Sequence, residues 1–127
     1  MICDFEMSLL KAIDEQLPEA DLHGCFFHFR QALRRKLGKN GHIKKLKSDA
    51  HFNRCFNLFS ALAFIPEAEV KLLFSLMIAE QGFPEELKEF AENYFAPTWI
   101  QGANGTDGAP TDPIYIPKRW NCHQRCV

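Results

Sequence analysis

The run His23-Gly24-Cys25-Phe26-Phe27-His28-Phe29-Arg30-Gln31-Ala32-Leu33-Arg34-Arg35-Lys36-Leu37 has helical spacing. Cys25, His28, Phe29, Ala32 and Leu33 fall at i, i+3, i+4, i+7 and i+8 and so share one face. Gly38 and Gly41, either side of Lys39-Asn40, predict the end of this helix and the start of a basic loop. Before it, residues 20–24 are short enough for a strand or turn. Residues 6–17 carry Leu9, Leu10, Ile13 and Leu17 at helical spacing until Pro18, and residues 1–5 read as the last few residues of a strand.

Downstream the same grammar repeats. Asp49 is a good N-cap for a helix through Phe52, Cys55, Phe56, Phe59, Leu62 and Ala63 that Pro66 ends. Pro66 suits the first turn of the next helix, with Glu67 and Glu69 near its positive end and Val70, Leu73, Phe74 and Met77 on one face until Gly82. After Pro84, Leu87, Phe90, Ala91 and Phe95 form a buried stripe and Glu85, Glu86, Glu89 and Glu92 a solvated one. Residues 96–117 turn to Gly, Pro, Asn, Thr and Asp and predict a loop in which only Ile114-Tyr115-Ile116 is extended. Residues 119–127 read as the opening of a further helix.

Composition bounds what such a chain can be. The 127 residues are 46% apolar and 24% charged, with 15 Lys and Arg against 16 Asp and Glu, the profile of one globular domain. Twelve Phe residues supply ample core and exclude disorder over most of the length. No apolar stretch approaches the ~20 residues of a membrane helix. Acidic residues Asp4, Glu6, Asp14, Glu15 and Glu19 occupy the first twenty positions where a secretory leader would be basic and then apolar, so an intracellular, reducing location is expected. Five scattered cysteines (Cys3, Cys25, Cys55, Cys122, Cys126) then read as buried thiols, or at most a small metal or redox site.

The charge is unevenly spread. Arg30, Arg34, Arg35, Lys36, Lys39, Lys44, Lys45 and Lys47 lie within residues 30–47, which contain no acid. Such a cluster can present a ridge to a phosphate backbone, or it can complement the negative end of a helix. If about four of these residues met phosphates, affinity would fall with salt at a log–log slope near −3.6.

Cys25 and His28 form a C-x2-H unit that places thiol and imidazole side by side. It could begin a zinc site, with Cys3, His23, His51 or Cys55 converging on it, or form a thiolate–imidazole nucleophile. Lying on the apolar face, it also reads as a packing and hydrogen-bonding pair. The Cys122-His123-x2-Cys126 group has no partner pair at zinc-finger spacing and is not read as a site. Asp4 and Glu6 could hold a divalent metal at a strand end, or serve as the acidic start of a helix.

Taken together, ordered blocks through nearly the whole chain resemble the Mutator-like element (MULE) transposases, whose RNase H-like DDE domain carries a helical insertion. Asp4-Phe5-Glu6 resembles the D-F-E block, and residues 23–36 resemble the G-C-x-F-H-F-x-Q-A block with its C-x2-H motif. Residues 61–66 resemble A-L-A-F-x-P, and Tyr94-Phe95 with Thr98-Trp99-Ile100 resembles Y-F-x-x-T-W-I-G, with Gln101-Gly102 in place of the Gly. Pro117 with Trp120-Asn121 resembles P-x-x-W-N.

The resemblance implies a mainly α chain, the helical insertion region of an RNase H-like (DDE) domain with one or two residual short strands. Residues 1–24 would be a strand-helix-strand remnant, residues 25–95 the C-x2-H helix and insertion, and residues 96–127 a loop and the start of a final helix. Asp4 would be the second catalytic aspartate and a ligand for Mg2+ or Mn2+ in the intact family. The family's first aspartate and final glutamate are not in this sequence, so this chain alone is expected to hold no such ion and to perform no strand cleavage. Cys25 and His28 would stabilise the active-site helix. The eight basic residues would be DNA-binding candidates, with transposon ends or a full-length transposase as partners and a nuclear location. The alternatives are a small helical nucleic-acid-binding module, or a protein-interaction module with an exposed apolar patch on the face of Cys25, His28 and Phe29.

Overall fold

The computed structural model describes residues 2–3, 15–16, 23–102 and 104–123. Asp4, Glu6, Cys126 and most of the helix expected over residues 6–17 lie outside the described residues, although Glu15 and Gln16 are helical. Two short strands, β1 (Ile2–Cys3) and β2 (His23–Gly24), pair in parallel with Ile2 opposite His23. Among the described residues six α-helices follow: α1 (Phe26–Lys39), α2 (Ile43–Ser48), α3 (Ala50–Ala61), α4 (Val70–Ala79), α5 (Glu85–Phe90) and α6 (Pro117–Trp120). The chain is mainly α, as its periodicity predicts.

Helix α1 buries Phe29, Leu33 and Leu37, one residue from each successive turn. Cys25 precedes it in extended conformation, its carbonyl accepting from Phe29 N at 2.9 Å, and both Cys25 and His28 are half-buried. The helix runs past Gly38 to Lys39, and Gly41, at φ 84°, reverses the chain in a conformation costly to any residue with a Cβ. The expected basic loop is instead helix α2, because Leu46 finds the core and gives that segment an apolar anchor.

Asp49 does cap α3, its Oδ1 accepting from Phe52 N at 3.1 Å, and Phe52, Cys55, Phe56 and Phe59 form the buried stripe. The helix tightens into a 3-10 turn, Leu62–Phe64, before Pro66, and a second 3-10 turn, Glu67–Glu69, leads into α4. Beyond α5 the chain stays helical, contrary to the loop expected from residue 96. Ala91–Ile100 forms wider π turns that include Pro97. Proline has no N–H to give and its ring collides with the carbonyl one turn back in an α-helix; a wider turn relieves both. Gln101 N reaches Ala96 O at 2.8 Å to close it.

The carbonyls of Pro97 and Thr98 then accept from Ile114 N at 3.3 Å and Tyr115 N at 2.7 Å, and Tyr115 stacks on Trp99 with centroids 4.8 Å apart. Gly102 N bonds Thr111 O at 2.9 Å, and a Cβ on Gly102 would lie 2.5 Å from Asp112 O. Here the backbones approach too closely for any side chain. Helix α6 stops after one turn: Asn121 is extended, its Nδ2 donating to Ile65 O at 2.8 Å and its Oδ1 accepting from His123 N at 3.0 Å. The helix opening expected over residues 119–127 is thus, over the described residues, a single turn that ends at Trp120 and is held to the carbonyl of Ile65.

These connections meet in one aromatic core. Phe29, Phe52, Phe59, Phe90, Phe95, Trp99 and Trp120 are all fully buried. Phe29 lies between Trp99 and Trp120, 4.9 Å from each centroid, and Trp120 Nε1 donates to Trp99 O at 3.0 Å. Burying both the rings and the indole N–H is favourable because the polar atom has a partner.

Candidate functional site

Of the eight basic candidates, Arg30, Arg34, Arg35 and Lys39 are exposed on α1, and Lys44 and Lys47 on α2. None of these six is paired with a carboxylate among the described residues. The other two are diverted from the ridge. Lys36 lies over the Tyr94 ring at 5.7 Å, and Lys45 reaches Glu86 Oε1 at 2.7 Å while lying over the Phe52 ring at 5.2 Å. The hydrogen bond from Lys45, with help from the backbone N–H of Glu86 itself, holds the Glu86 carboxyl below its ordinary value.

Arg30 and Arg34 line a cavity of 580 Å³ between α1 and α3, together with Phe27, Gln31, Asn53 and Asn57 over an apolar floor. Phe27, Arg30, Gln31 and Arg34 are spaced i, i+3, i+4, i+7 and so form one wall. The other wall is organised by a chain of amides. Asn53 Nδ2 donates to Leu46 O at 3.2 Å, and Asn57 Nδ2 donates to Asn53 Oδ1 at 2.9 Å. Because the Leu46 carbonyl can only accept, it fixes the orientation of both amides. No carboxylate lines this groove, so an anion entering it meets two guanidinium groups and neutral donors. Lys39, Lys44 and Lys47 stand apart, at the corner where α1 turns into α2.

Cys25 and His28 lie three residues apart at the start of α1; of the candidate further ligands, the side chains of Cys3 and His23 lie outside the described residues. Among the described residues no group of three or more His, Cys, Asp or Glu could hold a metal. His51 and Cys55, considered above as ligands for that unit, instead face each other one turn apart on α3, with Sγ 3.7 Å from Nε2. Burial pushes the Cys55 thiol up from its ordinary value, the opposite of what a nucleophile requires. This pair borders a second, mainly apolar cavity of 440 Å³ with Leu58, Leu73, Leu76 and Met77.

On the face where an apolar patch is expected, Phe29 is buried and packs on Trp99 and Trp120, while Cys25 and His28 are half-buried; among the described residues the exposed large apolar side chains are Phe27, Leu58, Phe64, Leu72, Leu73, Leu76 and Ile114. The catalytic and metal candidate Asp4 lies outside the described residues.

Sequence reasoning missed the groove residues Phe27, Asn53 and Asn57, although the i, i+3, i+7 spacing of Phe27, Arg30 and Arg34 was available as a signal. No described helix is long and apolar enough to cross a membrane. No protein-family model, curated protein or solved structure matches this chain.

Proposed function

We propose that this chain is part of a Mutator-like DDE transposase domain and that its described helices contribute nucleic-acid binding, the strand chemistry requiring carboxylates beyond Asp4. One observation carries the binding role: Arg30 and Arg34 line a groove without a carboxylate, with neutral hydrogen-bonding groups opposite. The family reading is supported by the order in which the resembling blocks run along the sequence.

In this reading Asp4 is the second catalytic aspartate and would hold Mg2+ or Mn2+ only with the family's other carboxylates; two-metal transfer needs ligands for both ions. Cys25 and His28 start the helix that bears the basic face. The partner is the DNA of transposon ends, bound in the nucleus.

The test is fluorescence anisotropy of a labelled DNA with the full chain and with Arg30→Glu/Arg34→Glu. The double reversal should weaken binding at least about tenfold at low salt. Lys118→Glu, an exposed lysine on α6, should leave binding within about twofold. Equal binding by the wild type and the double variant would refute the proposal.

A second reading, a protein-interaction module, is favoured by the exposed leucines Leu58, Leu72 and Leu76. It requires association that Leu72→Lys/Leu76→Lys abolishes and Arg30→Glu/Arg34→Glu does not.

A further inference from the structure

We infer that the groove between α1 and α3 takes an unpaired nucleotide, so that the ligand class of this surface is single-stranded nucleic acid. The inference rests on the nucleic-acid-binding reading and adds to it the form of the nucleic acid.

Duplex binding through its backbone needs only cations. This groove also has an aromatic ring and a fixed amide. Phe27 is 66% exposed, the most exposed of the large apolar side chains described, although it sits at the start of a helix whose other large apolar residues are covered. It lies one turn before Arg30 and two before Arg34 on the same wall. Leaving a phenyl ring in water forgoes burial that Phe29, two residues on, obtains in full. An exposed ring beside guanidinium groups is the arrangement on which a base stacks while its phosphates are held.

The opposite wall supplies the edge contact. Asn53 spends Nδ2 on Leu46 O and Oδ1 on Asn57 Nδ2, which leaves Asn57 with its Oδ1 as acceptor and one remaining N–H as donor. An acceptor and a donor on one oriented amide match the Watson–Crick edge of a base, which is open only when the base is unpaired; the same pair also fits adenine N6 and N7 in a duplex, so it is the stacking ring of Phe27 that selects the unpaired form. Ser60, also at the groove, spends its hydroxyl on the Asn57 backbone carbonyl at 3.0 Å. A volume of 580 Å³ accommodates a nucleotide.

The experiment measures anisotropy of the full chain with a labelled single strand of about 20 nucleotides and with the blunt duplex of the same sequence, at matched salt. The single strand should bind about tenfold tighter than the duplex. Phe27→Ala should weaken single-strand binding about 5- to 100-fold, the effect of removing one stacking ring, while changing duplex binding less than about twofold. Phe27→Trp should retain the single-strand affinity. Because Phe27 is exposed, these substitutions leave the core alone, and unchanged far-UV circular dichroism verifies it.

Duplex binding that equals or exceeds single-strand binding overturns the inference, as does a Phe27→Ala variant that binds like the wild type. If Arg30→Glu/Arg34→Glu still abolishes binding in either case, the nucleic-acid reading survives and only the unpaired nucleotide is lost. Absence of binding to both probes overturns both.

Discussion

Phe29 and Trp120 stack with centroids 4.9 Å apart and planes 14° from parallel, joining the first turn of α1 to α6 near the far end of the described chain. The contact closes the fold: Trp120 also bonds the Trp99 carbonyl, so three segments distant in sequence depend on one ring. Trp120→Ala should therefore lower stability by about 3–5 kcal/mol in urea denaturation, and Trp120→Phe by less because stacking on Phe29 persists. A loss under about 1 kcal/mol for the alanine variant would show that α6 is peripheral to the core.

Asn121 is the one buried polar side chain among the described residues, and it satisfies the Ile65 carbonyl beyond the end of α3. Asn121→Leu keeps the volume and leaves that carbonyl and His123 N without this partner, so it should cost about 1–3 kcal/mol by the same measurement.

The Lys45–Glu86 pair predicts a small acid dependence. Glu86 has its folded value lowered from 4.5, so its contribution is present above the ordinary carboxylate range and is lost as pH falls through the lowered value. Both side chains are more than a third exposed, at 39% and 36%, so water screens the pair. Lys45→Gln should cost about 0.5 kcal/mol or less at neutral pH, and the difference from wild type should vanish once Glu86 is protonated. A difference that grows on acidification would contradict the assignment.

Thiol labelling should follow burial. Cys25 is half-buried, whereas Cys55 and Cys122 are buried, and burial raises the Cys55 thiol so that less thiolate is present at neutral pH. Mass mapping during iodoacetamide treatment should find the Cys25 peptide modified before those of Cys55 and Cys122, which should react together on unfolding. Early modification of Cys55 would mean that α3 opens at the His51–Cys55 face.

What was legible in the sequence is what local physics controls. The Asp49 cap, the stripe from Phe52 to Phe59 and the buried line of α1 follow from 3.6-residue periodicity and capping chemistry. The described residues from 101 to 116 are non-helical, as expected; the loop reading fails at residues 96–100, where Pro97 carries loop chemistry while the widened helix has its carbonyls met by Ile114 and Tyr115. Such a partner is invisible to a local reading. The basic cluster was legible as composition, but its division was not: Lys45 leaves it only because Glu86, distant in sequence, folds alongside. Phe27 was hidden for a related reason, since an aromatic residue beside Phe26 and Phe29 reads as core until the packing shows which rings are covered.

The most direct measurement of the central claim is the salt dependence of duplex DNA binding by the wild-type chain and by Arg30→Glu/Arg34→Glu. About four phosphate contacts give the wild type a log–log slope near −3.6, and removing two of them should bring the variant to about −1.8 with weaker binding at every salt concentration. A wild-type slope near zero, or a slope unchanged by the double reversal, would contradict a nucleic-acid surface built on these two arginines.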